Sequence, residues 1–106
     1  MTVTISHKKT QAETIRIVDT GADKLFTGAA GPSVEITDQT KEWIGNVMHF
    51  SFNAKFGFIS VPLKGTIDVG DEKVIVDCEL PSFVDKFLGP GKVGASIEKR
   101  IQLLLE

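Results

Sequence analysis

The chain reads as an α+β fold: an antiparallel sheet of about five strands with an N-terminal and a C-terminal helix packed on one face. Three observations predict it. Apolar residues alternate with polar ones from Trp43 to Pro81, and turn residues punctuate that run. An apolar stripe at three- and four-residue steps precedes it, from Ala12 through Ile15, Val18, Ala22 and Leu25 to Phe26 and Ala29. A second stripe follows it, through Val93, Ile97, Ile101 and Leu104. The order is strand, helix, four strands, helix. A sheet with one apolar face buries that face under helices.

Each element has its own local justification. Val3 and Ile5 share one side of a short first strand, Thr2 to Ser6. Thr10-Gln11-Ala12-Glu13 is a capping-box pattern, so the first helix starts there. Gly28, Gly31 and Pro32 end it. Val34 and Ile36 open the next strand, and the polar Asp38-Gln39-Thr40 predicts a bulge or loop within it. Gly45-Asn46 suits a two-residue hairpin because both residues tolerate positive φ. Met48, Phe50, Phe52 and Ala54 then face the core, with Val47, His49, Ser51 and Asn53 opposite. A reversal is expected between Asn53 and Gly57, and a slightly longer one at Gly70-Asp71. Ile59, Val61, Leu63, Ile67 and Val69 share one face, with Phe58 and Pro62 on the other. Pro62 has no amide for a ladder and marks an edge or a bulge. Val74, Val76, Cys78 and Leu80 alternate with Lys73, Ile75, Asp77 and Glu79 on the last strand. Ser82 caps a short turn holding Phe83, Val84, Phe87 and Leu88, and Gly89-Pro90-Gly91 breaks or hinges the approach to the last helix. Leu103 and Leu105 widen that helix's apolar face, which suits cover by the sheet and by a partner.

Composition bounds the function. At 106 residues the chain is a single domain, residues 1–106, able to bury a core without staples. The 42% hydrophobic and 25% charged content is that of an ordinary globular protein. A net charge of -2 argues against nucleic acid, whose binders need a basic face. No apolar run approaches the ~20 residues of a transmembrane segment. The opening MTVTISHKKT lacks the apolar stretch of a secretory leader, and the single cysteine excludes an internal disulfide. A cytoplasmic location is expected.

Several residues resemble a family of small bacterial proteins, the polyhydroxyalkanoic acid system proteins. The features are the apolar first helix, Trp43 followed by Gly45-Asn46-Val47 and Phe50, Gly65-Thr66-Ile67-Asp68-Val69, then Asp71, Val74, Val76 and Leu80-Pro81, and an amphipathic C-terminal helix. Gly89-Pro90-Gly91 departs from the continuous final helix of that pattern. The resemblance implies a non-enzymatic role at or near polyhydroxyalkanoate granules and carries no catalytic residues with it. The element order is also similar to a shortened helix-grip fold.

The residues that could carry chemistry are few. His7, His49 and Cys78 have no spacing that pairs them as nucleophile and base, and none of them forms a metal-ligand pattern. Alternation puts Cys78 in the core and His49 on a solvated rim, and His7 reads as a surface residue. Gly28-Ala29-Ala30-Gly31 follows a helix where a phosphate loop should precede one, and Gly89-Pro90-Gly91 lacks the P-loop lysine and serine. No cofactor or metal is implied. Asp68, Asp71, Glu72, Asp77 and Glu79 read as a solvated acidic side. Trp43, Phe50, Phe52, Phe56 and Phe58 are the candidate apolar surface, for a granule, an apolar small molecule or a partner protein. A plain packed core accounts for the same residues. Two other readings stand beside granule binding. One is a small enzyme acting on an acyl or ester substrate, which needs a cleft holding His49, Asp77 or Cys78. The other is a structural module that forms a homo-oligomer.

Overall fold

The computed structural model of the chain describes residues 1–29, 34–79, 81 and 91–105, leaving aside the side chains at 23 and 26–29. The elements run β1 (Thr2–Ser6), α1 (Gln11–Ala29), β2 (Glu35–Ile44), β3 (Val47–Phe56), β4 (Ile59–Val69), β5 (Lys73–Cys78) and α2 (Lys92–Leu105). The strands form one antiparallel sheet in the order β1-β5-β4-β3-β2. The expected α+β class and element order hold. The segment expected to cap at Ser82 and to hold Phe83, Val84, Phe87 and Leu88 lies outside the described residues, as do Leu80, Gly31, Pro32, Gly89 and Pro90.

Turn chemistry sets the register. Ile44 pairs with Val47 around Gly45-Asn46. Gly45 takes φ 61 while Asn46 stays at negative φ, the pattern of a type II′ turn. The Asn46 amide instead donates to Asp68 Oδ1 and the Val69 carbonyl, both at 2.8 Å, which ties this hairpin to the end of β4. The next reversal falls later than expected, at Gly57-Phe58, with Gly57 at φ 62 and Phe56 paired with Ile59. Asn53 to Phe56 continue the strand because glycine is wanted at the first central position of the turn. Gly70 to Glu72 make the third connection, closed by the Gly70 amide donating to the Lys73 carbonyl at 2.8 Å.

The expected bulge is present. The β2–β3 register shifts between Thr37 and Thr40, and Asp38 takes φ 53. Pro62 is exposed on β4, and β5 pairs only with Gly65 to Val69 of that strand. Among the described residues, Pro62 therefore lies where β4 has β3 alone as strand neighbour, and its missing amide costs no ladder bond.

One face of the sheet is buried. Val3 and Ile5 of β1, Met48 to Phe56 at alternate positions of β3, Val61, Leu63, Ile67 and Val69 of β4, and Val74, Val76 and Cys78 of β5 join one core with Val18, Ala22 and Leu25 of α1 and with Ile97 and Ile101 of α2. Thr10 caps α1, accepting from the Glu13 amide at 3.1 Å. Ala12, expected on the apolar stripe, is exposed, and Thr14 is fully buried in its place. The helix tolerates this because the Thr14 hydroxyl donates to the Thr10 carbonyl at 2.8 Å. The helices meet where Leu104 lies over Gly21, and Gly94 lets α2 approach Met1 and Val3. Leu103, at the widened face of α2, is exposed.

Candidate functional site

The five aromatic residues do not form one surface. Phe50 and Phe52 lie side by side in the core, with ring centroids 6.1 Å apart and planes 11° from parallel. Phe56 is also buried. Trp43 is half-buried and serves the joint between β2 and α1: its indole N–H donates to Asp19 Oδ1 at 2.9 Å. Lys41 reaches the same aspartate, 3.1 Å from Oδ1 and 2.6 Å from the backbone carbonyl. The Trp43 hydrogen bond, then that of Lys41, holds the Asp19 carboxyl below the usual carboxylate range. Phe58 stands apart. It is not on a strand face opposite the core, as alternation suggested, but in the β3–β4 turn, with its side chain 108% exposed and Ile59 beside it at 55%.

Between α1 and the sheet lies a cleft of about 130 Å³. Ala22, Met48, Phe50 and Phe52 give it apolar walls, and Gln39, Thr40, Lys41 and Ser51 border it with polar ones. Its position follows from the bulge. Thr37 pairs with Asn53 and Thr40 with Ser51, so the register of β2 skips Phe52, which pairs with Leu63 of β4 on its other side. Ala22 on the facing helix contributes only a methyl group.

The face of the sheet turned away from α1 and α2 is polar among the described residues. A hollow of about 740 Å³ on that side includes Glu42, His49, Ser51, Lys64, Thr66, Asp77 and Glu79. Register places Glu42, His49, Thr66 and Asp77 in one cross-strand row. His49 and Asp77 are exposed, as their alternation predicts. Cys78 faces the opposite way into the core, and burial pushes its thiol up to about 11. His49, Asp77 and Cys78 therefore do not converge. Among the described residues, no group of three or more His, Cys, Asp or Glu side chains is arranged to hold a metal ion.

His7 is not the surface residue its neighbours suggested. Its Nε2 faces the Gly70 carbonyl at 3.0 Å and its Nδ1 faces the Thr14 hydroxyl at 3.3 Å. The backbone adds a bond from His7 N–H to the Glu72 carbonyl at 2.9 Å. His7 thus pins the β1–α1 connection to the β4–β5 turn. Sequence reasoning missed this role and that of Asp19, because Gly70 and Glu72, and Lys41 and Trp43, lie more than 20 residues from them. Thr14 carried a weak signal: it lies four residues before Val18, on the buried side of the stripe.

No protein-family model and no curated protein matches the chain. Among the described residues, no helix is long and apolar enough to cross a membrane.

Proposed function

We propose that the chain is a non-enzymatic accessory protein of polyhydroxyalkanoate storage granules, held there by apolar contact. The observation that carries this reading is the bare Phe58 side chain, with Ile59, at the tip of the β3–β4 hairpin. Phe58 is fully exposed in the turn, and Ile59, which opens β4, is more than half exposed. Removing the pair from water is worth roughly 2–4 kcal/mol. Two side chains fall far short of the ~1,000 Å² that a stable protein interface needs. They suit shallow insertion into a soft apolar phase, which needs no complementary groove. The likeness to polyhydroxyalkanoic acid system proteins, and to a helix-grip fold, points the same way. The reading entails a cytoplasmic location at granules.

Co-sedimentation with amorphous polyhydroxybutyrate particles, against silica particles of equal area, tests it. The chain is expected to leave solution with the polyester, and Phe58→Ser to weaken that partition about tenfold or more. Equal partition onto both particles would sink the reading.

A second reading, an enzyme acting on acyl or ester substrates, has the Glu42-His49-Thr66-Asp77 row in its favour. It predicts hydrolysis of short-chain nitrophenyl esters that His49→Ala abolishes. Turnover unaffected by that change removes it.

A further inference from the structure

We infer that the outer edge of β1 is a pairing surface for a second copy of this chain, joined antiparallel about a two-fold axis at Thr4. The first observation is the backbone. The Met1 amine donates to the Cys78 carbonyl, and the Cys78 amide to the Met1 carbonyl, both at 2.9 Å. At the other end of the strand the His7 amide donates to the Glu72 carbonyl at 2.9 Å. Antiparallel ladders alternate, so Met1, Val3, Ile5 and His7 turn their backbone groups toward β5. Thr2, Thr4 and Ser6 turn theirs the other way. Among the described residues, β1 has β5 alone as strand neighbour, and Thr2, Thr4 and Ser6 are exposed. The second observation is a contrast between the two edges of the sheet. β2 carries a bulge and the charged residues Glu35, Asp38, Lys41 and Glu42, devices that keep an edge from pairing. β1 holds an unbroken register from Thr2 to Ser6 and has no charged side chain, glycine or proline.

Self-complementarity selects the occupant. With Thr4 opposite the partner's Thr4, Thr2 falls opposite the partner's Ser6, and Ser6 opposite the partner's Thr2. Each pair exchanges both of its bonds, so every outward amide and carbonyl from Thr2 to Ser6 is satisfied. The side chains that meet are small hydroxyls, which pair well across strands. Charge completes the match. Thr2 is paired with Asp77 and Ser6 with Lys73, and both charged residues are exposed. Across the axis each row therefore runs Asp77, Thr2, the partner's Ser6, the partner's Lys73. The neighbours keep these signs. Lys8, Lys9 and Lys73 outnumber Asp71 and Glu72 at one end of the edge, and Asp77 and Glu79 outnumber the Met1 ammonium at the other. An antiparallel copy sets unlike ends together, and a parallel one sets like ends together. A strand of 5 residues is a small contact, so the dimer is weak and forms with concentration. This inference does not rest on granule binding, which uses the hairpin tip at Phe58.

Sedimentation velocity and amide NMR of the full chain, from micromolar to millimolar protein, test it. A dimer is expected to appear as concentration rises, with shifts and slowed amide exchange centred on Thr2, Thr4 and Ser6. Thr4→Pro removes an outward amide without touching a bond to β5, and should weaken the dimer about tenfold or more. If that variant does not fold, Thr4→Lys supplies the second test, because it sets two ammonium groups face to face at the axis. Asp77→Lys and Lys73→Asp should each weaken self-association several-fold at low salt. An equal mixture of those two should recover it, since unlike charges then share both rows. A monomer at millimolar protein, a dimer unmoved by the Thr4 variant that folds, or no recovery in the mixture would each overturn the inference. So would a dimer abolished by Phe58→Ser, or β1 shifts seen only with an added strand peptide of another sequence. Loss of polyester partition with dimerisation intact would overturn only the granule reading.

Discussion

Cys78 is a titratable group placed in the core. Burial raises its thiol from 9.0 to about 11, since a thiolate there would lose its hydration. The sign of the consequence is fixed. A group whose pKa is raised by folding contributes stability that is complete below the unfolded value and is lost as pH climbs through the folded one. Stability should therefore fall between about pH 9 and pH 11, by roughly 2–3 kcal/mol from this group. Cys78→Ser, whose hydroxyl does not ionise in that range, should show a flatter profile in urea melts. At pH 8 the native thiol should react with iodoacetamide far more slowly than the unfolded chain does. Asp19 carries the opposite sign. Its lowered pKa contributes stability above the ordinary carboxylate range, lost as pH falls through the folded value. Because its side chain is 47% exposed, that contribution is well below 1 kcal/mol.

The elements owe their packing to two glycines with opposite tolerances. A Cβ at Gly65 would sit 2.2 Å from the Asp77 carbonyl and 2.7 Å from the Phe50 ring. The carbonyl belongs to a paired strand and cannot retreat. Gly65→Ala should therefore destabilise by about 3 kcal/mol or more, read from denaturant midpoints. At Gly21 the obstacle is the end of the Leu104 side chain, 3.0 Å away and partly exposed. That side chain can swing outward, and alanine gains up to about 1 kcal/mol of helix propensity. Gly21→Ala should raise the midpoint slightly; a large drop would mean that the two helices cannot separate even by a few tenths of an ångström. Turns and strand faces were legible in the sequence because a glycine or a two-residue alternation acts locally. Gly57-Phe58 was displaced from its expected position because several residues near it can begin a turn. The Asp38 bulge was readable as a polar interruption, but the cleft behind it depends on Ala22, sixteen positions earlier on another element. Periodicity cannot report such a meeting.

At the scale of the whole molecule, the apolar residues divide into a closed core and a small remainder at solvent. The aromatic set named from sequence spans both, because alternation shows which face a side chain takes but not where a strand ends. Phe50, Phe52 and Phe56 belong to the core, and their truncation to alanine should cost about 3–5 kcal/mol each. Phe58 belongs to the remainder. Phe58→Ser should leave the melting midpoint within about 0.5 kcal/mol of the parent while weakening particle partition. Equal loss of stability and partition would show that the tip supports the fold.

The chain holds one tryptophan and no tyrosine, so its near-ultraviolet emission comes from the indole that spans β2 and α1. That fluorophore is a built-in gauge of the seam between helix and sheet edge. If the seam parts before the central strands do, emission colour will change at a lower temperature than the sheet's circular-dichroism signal. A single shared transition would mean that the rods and the ribbon come apart as one cooperative unit.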